Sequence, residues 1–268
     1  MLFKFISLSL ISCLALQNFA TPLDQCIYKN NTYVKDEGTS DEYYKFSDEK
    51  YKLIASLPEK NIKLYAIRSC DYPGLYTKFI LKIKDDVRNF YIGWYSLTSP
   101  YQNPVLILSD VNNDKIDELI IISTVATGTG LRDEEIHIIN INPLETLDYK
   151  EYFIANPLMI IKEKVTTKIT KNEDGLLVYF KINGNDYTVR KDKKFAEYFV
   201  PDSYVVFTSG VEWEVINDKI YAHADAGLMG VILGNIVIEY KYIPQSQVFN
   251  VDKIYFDKDK RPKFKSNY

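Results

Sequence analysis

From residue 62 onwards, apolar and polar positions alternate in short runs broken by turn residues. "IKLYAIRS", "YTKFILKIK", "RNFYIGWY", "PVLILS", "DELIIIST" and "EIHIININ" follow one another at short spacing. Each is rich in β-branched or aromatic residues, so each predicts a strand. "CDYPG", "KDD", "SPYQNP", "VNND" and "GTG" separate them as turns. A second group begins near 158. "LMIIKE", "KVTTKIT", "LLVYFKI" and "DYTVR" read as an antiparallel meander, with hairpin turns at "NEDG" (172–175) and "NGND" (183–186). "SYVVFTS", "EWEVIN", "KIYAHA", "GVILGNIVIEYKYI" and "QVFNVDKIYFD" continue it, with a hairpin at Asn217-Asp218.

Two stretches predict short helices. "SDEYYKFSDEKYKLIASL" has Leu53, Ile54 and Leu57 as a partial helical stripe behind a capping Ser40 or Ser47. "KDKKFAEYF" (191–199) is the other. The expected fold is therefore mainly β, with antiparallel sheets and one or two short helices. The sheets would be arranged as propeller-like blades or as an irregular sandwich. The expected organisation is a leader over 1–20, a first β region over 21–150 and a second β region over 151–268, packed on the first.

Composition adds a location. "MLFKFISLSLISCLALQNFA" has one Lys, an apolar run and a small residue before Thr21, the layout of a secretory signal peptide cleaved after Ala20. A rival route is lipidation at Cys13, because "LISC" resembles a lipobox. No other apolar run is long enough to span a membrane. Cys26 and Cys70 remain after the leader, and an exported protein would pair them. That bridge would close a loop of about 45 residues and stabilise by about 3–4 kcal/mol on the chain-entropy model. A formal charge of −3 argues against a nucleic-acid partner.

The chemistry concentrates in "DVNNDKIDEL" (110–119). Asp110, Asn112 and Asp114 alternate, and Glu118 follows four residues later. Ca²⁺ takes six to eight oxygens, and alternating short acidic side chains on a curled loop supply them. Asp110, Asn112, Asp114, the carbonyl of Ile116 and Glu118 are the candidate ligands. An EF-hand is excluded: position six is Lys115, position twelve is Ile121, and the flanks are strands. The same residues also read as a hydrogen-bonded Asx turn with no ion.

"LILSDVNNDKIDELIII" resembles the calcium loop of FG-GAP and VCBS-like β domains, with Lys115 in place of the usual Gly. "TGTGLRDEEIHIIN" and "IVIEYKYIPQSQVFNVDKIYF" extend the likeness to uncharacterised secreted proteins of that kind. The resemblance implies a β fold and a bound Ca²⁺, and brings no enzymatic activity with it. Affinity in the range of about 10⁻⁴–10⁻³ M is expected, as in extracellular modules.

Catalytic motifs are scarce. The chain has two His, His137 and His223, and no HExxH, G-x-S-x-G or CxxC. Glu135 and His137 share a strand face and form an acid–base pair in principle. His223 reads as an ordinary strand histidine. Trp94 and Trp213 are either packing residues or part of a sugar- or protein-binding face. The leading expectation is an exported non-catalytic binding protein with a structural Ca²⁺, recognising a protein or glycan of the envelope. The alternative is a secreted carboxylate-dependent hydrolase acting on glycan or peptide.

Overall fold

A computed structural model describes residues 33–35, 43–46, 49–90, 93–128, 131–141 and 150–258. The leader, Cys13, Cys26 and the two expected helix caps, Ser40 and Ser47, lie outside these residues. The fold is mainly β, with open sheets and two short α-helices, and contains no closed barrel among the described residues.

The first sheet is an antiparallel meander of β1 (Tyr33–Lys35), β2 (Tyr43–Phe46), β3 (Glu49–Leu57), β4 (Ile62–Arg68), β5 (Leu75–Ile83) and β6 (Asp86–Phe90). A short β7 (Ser96–Leu97) pairs with the start of β5. The helix expected across "SDEYYKFSDEKYKLIASL" is instead β2 and β3 where the chain is described. A bulge between Leu53 and Ala55 explains the misreading. Tyr51 and Leu53 pack in one small cluster, whereas Ile54, Ala55 and Leu57 pack in the larger one. The extra residue shifts the two-residue alternation, and the resulting apolar spacing mimics a helical stripe.

The second sheet runs β15-β16-β17-β18-β11-β10-β9-β8. Its strands are β8 (Val105–Ser109), β9 (Glu118–Gly128), β10 (Leu131–Asn140), β11 (Lys150–Ile154), β15 (Val206–Ile216), β16 (Lys219–Leu228), β17 (Val231–Ile243) and β18 (Val248–Asp257). Position 150 thus falls inside one sheet, which takes strands from both sides of it. β11 and β18 form its parallel pair. A third antiparallel sheet holds β12 (Val165–Asn172), β13 (Gly175–Ile182) and β14 (Asn185–Lys191).

"LMIIKE", expected as a strand, is the helix α1 (Pro157–Lys164). Its signal lies in the two residues just upstream of the apolar run, Asn156 and Pro157. The Asn156 side chain accepts from the N–H groups of Leu158 and Met159, and Pro157 takes the first helical position. A four-residue apolar run alone does not distinguish strand from helix. The helix expected over 191–199 is α2 (Lys193–Glu197), capped by Asp192.

β9 holds the layers together. Leu119 and Ile121 face a core shared with Ile62, Leu64 and Leu81 of the first sheet. Ile120 and Ile122 face the larger core, which also takes Leu176, Val178 and Phe180 of the third sheet. A strand covered on both faces is apolar at every position, as "LIII" is. The result is an irregular layered sandwich. None of the helices in the described residues is long and apolar enough to cross a membrane.

Candidate functional site

The acidic segment is the loop between β8 and β9. Its side chains turn inward onto its own backbone. Asp110 accepts from the N–H groups of Asp114 and Lys115, each at 2.9 Å. Asn112 Oδ1 accepts from the N–H of Asp114 at 2.8 Å, and Asp114 accepts from the N–H of Ile116 at 2.8 Å. Lys115 sits at φ 74°. The left-handed turn that a Gly would favour is therefore made by a lysine, at a steric cost.

The structure brings Asp110, Asn112, Asp114 and Glu118 together. The amide nitrogen of Asn112 lies between two carboxylates, donating to Asp114 at 2.9 Å and to Glu118 at 2.6 Å. Glu118 is 1% exposed. Burial, with Asp114 and Asp110 nearby, pushes its carboxyl up to about 7. The Ile116 side chain is exposed and, being a hydrocarbon, leaves only the carbonyl for the expected ligand role. In kind, the donors match a hard cation. In this arrangement, no three acidic, His or Cys side chains among the described residues converge tightly enough to hold a metal ion.

The loop is tied to the rest of the molecule at two points. Ser109 Oγ–H donates to Asp218, in the β15–β16 turn, at 2.6 Å. The Tyr152 hydroxyl lies beside the Asn112 side chain and accepts from Asn140 at 2.9 Å. Tyr152 is on β11, and its ring borders a cavity.

That cavity, of about 650 Å³, opens where the second sheet splits. β11 pairs with only three residues of β10, Ile138–Asn140, then leaves to join β18. β10 residues 133–137 are left without a strand on that side, and β15 folds over them. The carboxylates of Asp133 and Glu134 take the place of a strand partner. Asp133 accepts from the Val211 N–H at 3.1 Å and Glu134 from the Trp213 N–H at 2.7 Å. The Trp213 indole N–H returns a bond to the Glu134 carbonyl at 3.1 Å. Arg132 pairs with Glu134 at 2.8 Å. The "RDEE" run thereby covers the edge of β15, which otherwise presents unpaired N–H groups.

Glu135 and His137, the acid–base pair read from the sequence, lie together on the cavity wall. His137 Nδ1 is 2.7 Å from Glu151 of β11. An ionised carboxylate only accepts, so Nδ1 carries the proton. Trp94 stacks on the imidazole, with centroids 4.1 Å apart, and its indole N–H donates to the other Glu151 oxygen at 3.1 Å. On the opposite ring edge, Nε2 faces Glu135 Oε2 at 3.8 Å, too far for a hydrogen bond. Both atoms are buried without a hydrogen-bond partner. Burial raises the carboxyls of Asp133, Glu134 and Glu135 above their ordinary range.

The remaining candidates fall elsewhere. His223 is a buried residue of β16 opposite Glu212, away from both sites. Trp94 is core, whereas Trp213 lines the cavity. Cys70 is exposed just beyond β4, and its expected partner Cys26 lies outside the described residues. Glu151 carried no signal in the sequence: it stands in "DYKEYF" without a motif, and only the pairing of β10 with β11 brings it to His137.

No family model matches the chain, and neither a curated protein nor a solved structure matches it significantly.

Proposed function

We propose that the protein is an exported, calcium-braced binding protein whose ligand enters the cavity at the split between β10 and β11. The carrying observation is that cavity, walled by Glu135, His137, Glu151 and Trp213. Pockets of this size with few polar groups on an apolar wall are the usual form of ligand sites. The leader-like first twenty residues and the expected Cys26–Cys70 pair support export, with anchoring through Cys13 as the minority route. The partner would be a protein or glycan of the envelope.

Calcium is supported by the FG-GAP/VCBS-like spacing of Asp110, Asn112, Asp114, Ile116 and Glu118, and by the left-handed turn at Lys115. Half a turn of the Asn112 amide, which gives up the bond its Oδ1 takes from the Asp114 N–H, would put its oxygen beside Asp114 and Glu118 and complete an all-oxygen set. Through the Asn112–Tyr152 contact the ion would also steady one wall of the cavity. The test is calorimetric Ca²⁺ titration of the protein beside an Asp110→Ala/Asp114→Ala variant. One-site binding, lost in the variant and accompanied by a calcium-dependent rise in melting temperature, is expected. No heat and no rise would leave a polar turn, and the calcium half of the reading would fall.

One observation favours a second reading. A histidine held by Glu151 on one nitrogen and facing Glu135 on the other is arranged to move a proton. Turnover of a glycan or peptide substrate that is lost in Glu135→Gln would make the protein a hydrolase. A substrate panel without turnover removes that alternative.

A further inference from the structure

We infer that the cavity selects an organic cation, a protonated amine or guanidinium on an apolar stem such as a Lys or Arg side chain of a partner. This rests on the reading of the cavity as a ligand site and names the class of ligand. Among the described residues four carboxylates line it, from Asp133, Glu134, Glu135 and Glu151, and neither Lys nor Arg does. Three of them are already engaged within the protein, Glu151 by the His137 Nδ1–H and the Trp94 indole N–H. Asp133 holds the Val211 N–H, and Glu134 holds Arg132 and the Trp213 N–H. Among the described residues, Glu135 and Glu151, both partly exposed, have an ion pair only with His137.

His137 supplies the independent sign of a ligand. Its side chain is 8% exposed, and Nε2 is buried without a partner beside the equally unpartnered Glu135 Oε2. With the Nδ1 proton given to Glu151, Nε2 is the ring's one polar atom left facing the cavity. The Glu135–His137 edge of the wall therefore has a buried carboxylate oxygen, an acceptor, that nothing in the protein satisfies. A buried polar atom without a partner is destabilising, so such a pair calls for a ligand that satisfies it. Ammonium and guanidinium groups are donors only, with three and five N–H bonds respectively. The Glu135 side chain, half-exposed on the strand, swings about its own torsions to admit one.

The apolar wall fits the same ligand. Ile136, Ile154, Leu158 and Trp213 line the cavity and would cover an alkyl stem. Phe153 lines it too and is 67% exposed, an aromatic side chain open to a passing cation. A neutral sugar would leave the uncompensated carboxylates unmatched, and an anion would be repelled by them.

The experiment titrates the full chain with n-butylguanidinium and with its uncharged isostere n-butylurea, by calorimetry and by the emission of its two tryptophans, Trp94 and Trp213. Saturable binding of the guanidinium with a Kd of about 1 mM or tighter is expected. The urea should bind at least about tenfold more weakly. Glu135→Gln should weaken the guanidinium about tenfold while leaving the melting temperature nearly unchanged, and raised salt should weaken it further. Phe153→Ala, at an exposed position, gives a second variant that does not threaten the fold. Equal binding of guanidinium and urea would overturn the cation preference while the binding-protein reading stands. Guanidinium binding untouched by both variants would place it outside the cavity and overturn the inference. If neither probe binds, the inference is overturned. A panel of butyrate and neutral oligosaccharides then decides whether the cavity binds anything at all.

Discussion

Glu212 shows how a single side chain in the seam between β10 and β15 sets a pH dependence. Burial, and then the neighbouring Glu134, raise its carboxyl from 4.5 to about 7, against the smaller opposing pull of Arg132. A raised folded pKa means that the folded state binds more protons than the unfolded state between those values. The stability that Glu212 itself contributes is therefore fully present below about pH 4.5, declines as pH rises towards 7, and is gone beyond. Glu212→Gln has no proton to lose and should flatten that decline. Melting curves of both proteins between pH 4.5 and 7 read it directly, and parallel slopes would show that Glu212 is not the group responsible. Lys115 belongs to the same scale. Its positive φ was not foreseeable from residue type, since lysine in this region is uncommon, but the Gly it replaces in the loop pattern marked the place.

Strands and helices here are decided by what flanks an apolar run more than by the run. "LIII" and "LMII" are nearly the same letters. The first follows the Glu118 end of a loop and is buried on both faces as β9. The second follows Asn-Pro and becomes α1, which buries Ile160 and Ile161 and leaves Met159 63% exposed. The cap supplies the difference, so Asn156→Ala should cost about 1 kcal/mol. Denaturant unfolding with an unchanged m-value is the check; a loss of a few tenths would mean that Pro157 and packing hold the helix start alone.

At the scale of the whole molecule, the cavity exists because β15 folds over the unpaired edge of β10. Gly210 sets how close the two strands approach. A Cβ there would lie 2.7 Å from the Arg132 carbonyl oxygen, which neither backbone can yield cheaply. Gly210→Ala should push β15 away, weaken the Val211–Asp133 and Trp213–Glu134 bonds, and destabilise by about 1–3 kcal/mol. It should also blue- or red-shift Trp213 emission as the seam opens. Wild-type stability and emission in this variant would mean that the close approach is not what holds the seam.

The sequence by itself determined the β class, most strand positions beyond residue 62 and the turns at 172–175, 183–186 and 217–218. It also located the acidic loop, and the Glu135–His137 pair followed from a two-residue spacing on one strand. These are local properties, written in alternation, turn residues and spacing over a few positions. Tertiary structure alone decided the rest. The β3 bulge reversed a face, the cap at Asn156 made a helix, and the return of β11 delivered Glu151 to His137. The roles of Asp133 and Glu134 as edge partners depend on β15, almost eighty residues away along the chain. Pairing between distant strands is fixed by which faces can be buried together, and no short window of sequence carries that information.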